Sequence, residues 1–434
     1  MKATASQSQS KRIINNAATE VGIMDRRFVI LGAVLIQLAL GAIYAWSVFT
    51  PSLTKAGWSK EQTQWVFAIS LLSFALTMVF AGKKLTTWGP QKLTIIGGLV
   101  FGGGYILGGL IAGTNFAMIM LFIGLISGMG IGFTYVVPIA VGIRWYPDKK
   151  GLITGIAVAG FGFGALLWIK LAGSWGHLIA NQGLSKTFVI YGFAYAAMIL
   201  LGSLWMKFPP KGWKPAGYKG HAVDQPKTGM TEFSSMEMLK SSQFYLIFLT
   251  FAVSAGAGLM SIGLMKLYPT QALMHSGLSE TAALAAAGTA MAVFFSLANG
   301  IGRIAWGAIS DKIGRKNSIL IMTLSQGILI ILFRYMAGNI ATLYFAATLI
   351  GFNFGGNFAL FPTITSDTFG RKSVGSNYPF VFLAYGIGGV LGPILGGKLG
   401  DMGNFPLAFT ISGIAVLIGT ILIFFVHPPK KPSI

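Results

Sequence analysis

The stretch from Ser296 to Ile319, SLANGIGRIAWGAISDKIGRKNSI, carries the pattern that decides the fold. It completes a run of apolar and small residues from 281 in which Arg303 is the first charge, and it then passes into the basic segment DKIGRK. This pattern predicts a membrane-spanning helix that ends in a short aqueous loop. Arg303 lies roughly 12 Å inside that aqueous edge, at about 1.5 Å of rise per residue. Because a guanidinium is costly at that depth, an interaction must offset the cost.

The composition of the chain predicts an integral membrane protein. Of its 434 residues, 54% are hydrophobic and only 10% are charged, whereas soluble domains carry about 25% charged residues. Cysteine is absent, which excludes disulfides, thiol catalysis and thiolate metal sites. The net charge of +21 could suggest nucleic acid, but basic loops of a membrane protein explain it, and we expect no nucleic-acid partner.

Apolar segments long enough to cross a bilayer recur along the chain, since about 20 residues are needed for each crossing. The predicted architecture is an all-α membrane protein of 12 transmembrane helices in two six-helix bundles. The predicted spans are 28–50, 64–82, 93–113, 116–142, 151–173, 187–208, 243–267, 281–304, 318–337, 340–366, 374–399 and 407–426.

Basic residues orient these spans. Twenty-four of the 32 lysines and arginines fall in the tails and loops of one side, seven fall on the other, and Arg303 is the remaining one. The basic side faces the cytoplasm in a cell membrane, so both termini are predicted to be cytoplasmic. The predicted division is an N-terminal tail (1–27), a first bundle (28–208), a polar linker (209–242), a second bundle (243–426) and a C-terminal tail (427–434).

The two halves resemble each other. GKKLTTWGPQK (82–92) aligns with GAISDKIGRKN (307–317), so that Gly82 meets Gly307 and Gly89 meets Gly314. A second pair, Pro138 and Pro362, gives nearly the same offset. Paired repeats with a site between them near the midplane are a transporter design.

The predicted membrane interior contains no acidic group to neutralise Arg303. All acids fall in tails, loops or helix ends: Glu20, Asp25, Glu61, Asp148, Asp224, Glu232, Glu237, Glu280, Asp311, Asp367 and Asp401. The histidines at 177, 221, 275 and 427 do likewise. The spans therefore lack a proton relay of carboxylates and imidazoles, a metal-ligand cluster and a carboxylate pair. We expect no enzyme, no cofactor and no metal.

An uncompensated cation that faces a cavity predicts a mobile anionic partner. A small carboxylate fits, because its two oxygens match the guanidinium fork. Aromatic side chains could line a compact pocket around it. The candidates are Tyr44, Trp46, Tyr135, Phe354, Phe358 and Tyr385. Two alternatives stay open: Arg303 could extend to the interface or bond to backbone carbonyls, and the aromatic residues could be ordinary helix packing.

Three further cations, Lys170, Lys266 and Arg334, lie near span ends on the less basic side. Extension of each side chain to the membrane interface is the simplest interpretation. Lys170, which follows GALLWI, could also attract anions to that side of the protein.

The segment GAISDKIGRK resembles the loop signature of the major facilitator superfamily, between spans 8 and 9. The matching positions, which we expect to act in gating, are Gly307, Asp311, Lys312, Gly314 and Arg315. Asp311 could cap a neighbouring helix or pair with a basic residue, and Gly314 permits a tight turn. The copy between spans 2 and 3 has Thr86 where the acid is expected.

Five longer stretches resemble the oxalate:formate antiporter family and its lactate- and pyruvate-carrying relatives. They are GAIYAWSVF (41–49), RWYPDKKGLITG (144–155), NGIGRIAWGAISDKIGR (299–315), GFNFGGNFALFPTITSDTFG (351–370) and SNYPFVFLAYGIGG (376–389). Arg144 and Asp367 lie in these matching segments and join the expected gating set.

The resemblance implies a substrate site. The span-8 arginine of such carriers, which binds the substrate carboxylate, maps to Arg303, and a polar residue one turn earlier maps to Asn299. The further expected substrate-binding positions are Tyr44, Tyr135, Phe354, Asn357, Phe358 and Tyr385. Tyr385 occupies the position of a second cation, a lysine, in the oxalate carrier. One cation favours a monocarboxylate over oxalate.

The sequence therefore predicts a secondary transporter of small monocarboxylates such as formate, lactate or pyruvate, working by alternating access. Anion exchange and proton symport both stay open, since a proton could enter with the undissociated acid or use Asp311 or Asp367. An oxalate:formate antiporter is the alternative, and a transporter-like carboxylate sensor is a distant one. We expect a monomer whose partners are the anion, membrane lipid and, in symport, a proton.

Overall fold

The computed structural model describes residues 24–146, 150–210, 213, 215, 232–370, 374–427 and 429. Most of the predicted N-terminal tail, linker and C-terminal tail lies outside these residues. The described part is helical, and twelve helices are long and apolar enough to cross a membrane. The predicted all-α, twelve-span architecture is confirmed.

We number these spans α1 to α12 in chain order. Their bounds are Arg26–Lys55, Lys60–Leu85, Pro90–Ala112, Phe116–Gly142, Gly155–Ala172, Leu178–Ser203, Ser242–Leu264, Glu280–Ile313, Arg315–Met336, Ile340–Phe369, Asn377–Asp401 and Phe405–Phe424. Two short helices, Ser235–Leu239 and Tyr268–His275, flank α7. The side where α1 begins and α12 ends is called the terminal side below, and the other side the opposite side.

Several spans extend beyond their predicted ends on the terminal side. Span 8 was predicted as 281–304, but α8 continues to Ile313, and the helix of α2 continues from Lys60 to Trp88. The prediction stopped where the apolar run stopped, whereas helical hydrogen bonding continues until a glycine with positive φ ends it. Gly89 (φ 81°, ψ 155°) and Gly314 (φ 88°, ψ 153°) end these two helices with nearly the same backbone conformation, at the positions that align between the halves.

Two helix pairs bring the halves together. α5 crosses α8 where a Cβ on Gly162 would lie 2.9 Å from the backbone nitrogen of Gly300. α2 runs along α11, and a Cβ on Gly386 would lie 2.7 Å from the Cβ of Ala75. The absence of a side chain at these glycines allows the helices to approach backbone to backbone, as small residues do in membrane helix pairs.

α2 and α11 contact each other at both ends of the pair. On the opposite side, the carboxylate of Asp401 accepts hydrogen bonds from the backbone nitrogens of Lys60 (2.7 Å) and Glu61 (2.8 Å). On the terminal side, Lys83 lies over the ring of Phe380 at 5.9 Å. The halves are therefore closed over the region between them along this pair.

Charged residues where α8 meets α9 tie these two helices to α10. Arg315 Nη2 lies 2.5 Å from Asp311 Oδ1, and Arg315 Nε lies 3.7 Å from Asp367 Oδ2 at the end of α10. Of the two roles open to Asp311, the structure therefore selects pairing with a basic residue. Lys312 is exposed beside this cluster, and Gly307 faces Ala359 of α10 with room for a Cβ at 3.8 Å. Arg144 lies elsewhere, stacked over Phe208 at 3.7 Å.

Candidate functional site

Arg303 is the centre of the candidate site. Its side chain is among the largest fully buried ones, with 1% exposure, so it does not extend to the membrane interface. Its Nε donates a hydrogen bond to Oδ1 of Asn299 at 3.3 Å, one helical turn earlier in α8. Within the described residues, Nη1 and Nη2 make no hydrogen bond of normal geometry, although the hydroxyls of Tyr44 and Tyr135 lie beside the guanidinium, and Nδ2 of Asn299 has no partner either. The fork of the guanidinium is thus held in place while its two outer nitrogens remain available.

The helix that carries Arg303 is locally widened just before it. Residues Ala290–Phe295 form a π-helical segment, and α-helical geometry resumes at Ser296. Such segments rotate the side chains that follow relative to those that precede, and they occur frequently at functional sites. Here the change of register precedes the turn that presents Asn299 and Arg303 to the other half.

Aromatic rings enclose the guanidinium. Its central carbon lies 4.0 Å from the ring centroid of Phe358 in α10 and 5.6 Å from that of Phe161 in α5. Cation–π attraction of this kind contributes about 0.5–2 kcal/mol per contact when water is excluded. It offsets part of the desolvation of the charge without supplying a counterion.

Three tyrosines complete the enclosure. The hydroxyl oxygens of Tyr44 and Tyr385 lie 3.1 Å apart, Tyr385 packs against Phe358 at 5.5 Å, and Tyr135 packs against Phe161 at 5.4 Å. Tyr44 lies in a 3₁₀ segment of α1, Gly41–Val48, where a Cβ on Gly41 would lie 2.3 Å from the carbonyl oxygen of Phe161. The tight backbone contact between α1 and α5 therefore sets the position of Tyr44.

Two residues of α10 have different environments. Phe354 is fully buried and packs against Tyr44 with a centroid distance of 5.6 Å, so it belongs to the enclosure. Asn357 accepts a hydrogen bond from Ser254 Oγ at 2.8 Å and donates one to the carbonyl of Phe354 at 3.1 Å. Its amide thus fastens α10 to α7, and contact between Asn357 and a ligand stays a prediction.

One aromatic candidate from the sequence, Trp46, lies outside the enclosure of Arg303. One residue of the enclosure, Phe161, was not among the candidates. Trp46 donates to the carbonyl of Thr63 at 2.8 Å and packs against Phe49, away from the group around Arg303. Phe161 contacts Tyr44 (5.0 Å), Tyr135 (5.4 Å) and Arg303. It lies in GFGFG (160–164), a segment whose glycines suggested only helix packing. The sequence feature that could have identified Phe161 is its position as an aromatic residue between glycines, which mark a place where two helices cross.

The electrostatics of the site are simple. Every acidic side chain in the described part of the chain lies at or beyond an end of a span, and no group of His, Cys, Asp and Glu there could hold a metal ion. The site thus has one fixed positive charge, polar hydroxyl and amide groups around it, and an apolar wall. This arrangement can bind one small anion and orient a carboxylate in the plane of the guanidinium.

Comparisons with known proteins agree with this description. The model of the Major Facilitator Superfamily matches residues 29–294 and 277–434. The "Uncharacterized MFS-type transporter YhjX" of Escherichia coli is 30% identical over 371 residues, covering 84% of this chain and 86% of that protein. The "Oxalate:formate antiporter" of Oxalobacter formigenes is 27% identical over 422 residues, covering 96% and 95%.

A third relative is the "Apicoplast pyruvate carrier 1" of Toxoplasma gondii, which is 22% identical over 477 residues and covers 88% of this chain and 85% of its own. The resemblance predicted from the sequence motifs is confirmed, because the family match extends over both halves and the relatives include the predicted carriers. The chain is a member of the Major Facilitator Superfamily.

Proposed function

We propose that the protein is a secondary active transporter of small monocarboxylates, of the formate, lactate or pyruvate class, which works by alternating access. The observation that carries this proposal is the state of Arg303: 1% exposed, fixed through Nε, with Nη1 and Nη2 unbonded within the described residues. Two parallel N–H donors match the two oxygens of one carboxylate. A substrate that brings a negative charge to Arg303 and carries it away again accounts for the absence of a carboxylate beside Arg303 among the described residues.

The walls favour a small monoanion. Phe358 and Phe161 lie within 4.0 and 5.6 Å of the guanidinium carbon, and Tyr385 packs against Phe358, so only a compact ligand suits this enclosure. A dicarboxylate would bring a second negative charge into a region where Arg303 is the only cation among the described site residues. A buried charge without a partner is strongly unfavourable, so the second carboxylate would weaken binding.

The oxalate:formate antiporter is the alternative substrate assignment. It is supported by the 27% identity to a protein of that name over 96% of this chain. It is opposed by Tyr385, a neutral side chain that lies in the enclosure where the resemblance places a second cation. The choice depends on the relative affinities for oxalate and formate.

Exchange of one anion for another is the mode that the site favours. Before substrate binds, the two outer guanidinium nitrogens lack partners in a dry environment, which costs several kcal/mol in the closed form. Bound carboxylate removes this penalty, so the loaded carrier closes more readily than the empty one. Proton symport stays possible, because Asp311 and Asp367 lie at the rim, although both contact Arg315.

The basic bias of the loops supports a position in the cell membrane with the terminal side toward the cytoplasm. In this orientation the start of α9, which contains Arg315, lies on the cytoplasmic side. The Lys55–Glu280 ion pair, 2.8 Å long between α1 and α8, then lies on the outer side. Alternating access requires contacts of this kind to break in turn while Arg303 stays between the halves.

A counterflow assay tests the proposal. Proteoliposomes loaded with unlabelled formate should take up labelled formate, and loaded vesicles with the Arg303→Gln protein should not. Empty vesicles distinguish the two modes: uptake driven by a pH gradient into vesicles without internal anion means symport and contradicts obligate exchange. A well-folded wild-type protein that moves none of formate, lactate, pyruvate or oxalate would refute the assignment.

A further inference from the structure

A cavity of about 640 Å³ opens on the terminal side of the first half. Trp88 and residues of the first two turns of α3 line one wall, and the segment 206–208, which follows α6, lines the other. The volume falls within the range of about 300–1,000 Å³ that is usual for ligand pockets. The described lining residues all belong to the first half, so the cavity is separate from the enclosure of Arg303.

The cavity forms because α3 and the chain after α6 diverge toward the terminal side. Deeper in the membrane the two helices pack closely, and a Cβ on Gly98 would lie 2.7 Å from the side chain of Ile199. α6 then ends at Ser203. Nε1 of Trp145, just beyond α4, donates a hydrogen bond to the carbonyl oxygen of Lys207 at 2.7 Å. This bond fixes the chain after α6 to the end of α4, so that it does not cover the first turns of α3.

The rim of the cavity is basic. Lys92 and Lys207 line it and have exposed side chains, and Nζ of Lys92 lies 5.6 Å from the ring centroid of Trp88. The guanidinium carbon of Arg144 lies 3.7 Å from the ring centroid of Phe208, which also lines the cavity. Among the described residues, no acidic side chain lines the cavity and none of these three cations forms an ion pair. The cavity therefore suits an anionic ligand.

The inner part of the cavity is apolar. Ile95 and Ile96 lie about one helical turn deeper in α3 than Lys92, and Met206 and Phe208 line the same space. Both isoleucines belong to the membrane span Pro90–Ala112. A soluble anion would leave these side chains uncovered, whereas a lipid brings a charged headgroup and acyl chains together.

We propose that this cavity binds one anionic phospholipid of the adjacent leaflet, with its phosphate at Lys92 and Lys207 and its acyl chains against Ile95 and Ile96. Basic pockets between transmembrane helices recognise anionic headgroups in this way. The linker does not provide a substitute for the lipid, since 209–231 contains four lysines and a single acid. The site goes beyond the proposed transport function and is independent of the substrate carried.

A bound lipid connects two parts of the first half that the cavity separates. One part is the turn at Gly89 between α2 and α3, and the other is the segment 206–208 that leads into the linker. A ligand that binds only the folded protein raises its stability. The Tm of the purified protein should therefore be higher with phosphatidylglycerol than with phosphatidylcholine of the same acyl chains.

Amine acylation of the full-length protein in a mild detergent tests the site directly. Each lysine is followed by mass spectrometry after reaction with a succinimidyl ester, in the presence of phosphatidylglycerol, phosphatidylcholine or soluble glycerol 3-phosphate. Phosphatidylglycerol should slow acylation of Lys92 and Lys207 about fivefold, because its headgroup covers both amines. Lys240, exposed on the same side, is the internal control and should react at an unchanged rate.

The other two additives separate the sources of the phosphate. Neither phosphatidylcholine nor glycerol 3-phosphate should protect the two lysines. Equal protection by phosphatidylcholine would show that the charge of the headgroup is unimportant, and equal protection by glycerol 3-phosphate would show a site for a soluble anion. Either result overturns the proposal, as does acylation that phosphatidylglycerol leaves unchanged.

Native mass spectrometry provides a second readout that does not depend on amine reactivity. The Lys92→Gln/Lys207→Gln protein should bind its first phosphatidylglycerol about tenfold more weakly than the wild-type protein. The matched control, Lys240→Gln/Lys316→Gln, removes the same charge from the same side at residues that do not line the cavity. It should bind as the wild-type protein does. Equal weakening in both double variants would show a diffuse effect of surface charge and would contradict a site in the cavity.

Discussion

The hydroxyl oxygens of Tyr44 and Tyr385 lie 3.1 Å apart, although the two residues are 341 positions apart in the chain. Tyr44 belongs to α1 of the first half and Tyr385 to α11 of the second, and both are fully buried. The bond therefore joins the halves within the enclosure of Arg303. Any motion that opens the site must break this contact, so the pair couples the shape of the pocket to the arrangement of the halves.

Replacing Tyr385 tests how charge sets selectivity. Tyr385→Lys places a second cation in the enclosure, and we expect the affinity for oxalate to rise about tenfold relative to that for formate, since a second carboxylate gains a partner. Competition of each anion against labelled formate in proteoliposomes measures this ratio. Tyr385→Phe, which removes the hydroxyl without adding charge, is the control. Unchanged relative affinities in Tyr385→Lys would contradict the inferred position of the second carboxylate.

Arg303→Lys should lower kcat/KM for formate about 100-fold, because an ammonium cannot reproduce the two parallel donors of the guanidinium and loses the geometry fixed through Nε. Initial rates of exchange in proteoliposomes measure the loss. The matched control is Arg334→Lys, a change at an exposed arginine on the opposite side. Near wild-type exchange by a folded Arg303→Lys protein would show that a point charge is sufficient and that the fork is unimportant.

The contact between α8 and α10 predicts that Gly355→Ala damages the site through packing. A Cβ at this position would lie 2.2 Å from the carbonyl oxygen of Asn299 and 3.1 Å from the backbone nitrogen of Arg303. The two helices must separate, which costs about 1–3 kcal/mol and displaces the guanidinium. Thermal unfolding should show a lower Tm, and KM for formate should rise.

The control for this substitution is Gly103→Ala in α3, where a Cβ would meet nothing within 4 Å. Alanine has the higher helix propensity, so the control should leave Tm unchanged or slightly higher. Equal behaviour of the two variants would mean that the close approach of α8 and α10 is unimportant to the site.

Asp401 closes the opposite side by capping α2 across the halves. Asp401→Asn removes the negative charge from a helix N-terminus and replaces one acceptor by a donor, which weakens the contact by about 1 kcal/mol. Because the chain contains no cysteine, a Ser261→Cys background provides a single reporter at a buried position of α7. We expect maleimide to react with this cysteine about fivefold faster in the Asp401→Asn protein, as that free energy implies.

Asp25→Asn is the matched control for this labelling experiment. Asp25 caps α1 from within the same half, accepting from the backbone nitrogen of Arg27 at 2.9 Å. Its loss should leave the reactivity of the reporter unchanged. Equal labelling rates for the Asp401→Asn protein and its parent would mean that this contact does not hold the halves closed.

The twelve spans could be predicted because each depends on a local property. A bilayer requires a run of apolar residues, and that run is visible in the sequence whatever the helix contacts. The exact ends could not be predicted in the same way. α8 continues nine residues past the predicted end because hydrogen bonding and Gly314, not hydropathy, determine where it stops.

The composition of the enclosure was only partly accessible. Arg303 could be found because a charge in an apolar run is rare and demands compensation, and Asn299 followed from helical spacing. Phe161 could not be separated from many other phenylalanines, and Trp46 could not be excluded. Which faces of α1 and α5 meet depends on the 3₁₀ segment Gly41–Val48 and on glycines at the crossing, and hydropathy does not report either feature.

By itself, the sequence determined that the chain crosses a membrane twelve times and that its interior holds one cation without an acid. Both follow from the low polarity of the bilayer, which excludes uncompensated charge and makes every exception visible. Only the tertiary structure decided that Tyr44 meets Tyr385 and that Asn357 accepts a hydrogen bond from Ser254. These contacts join residues far apart in the chain, and they depend on helix rotation and backbone approach, which are properties of the packed helices together.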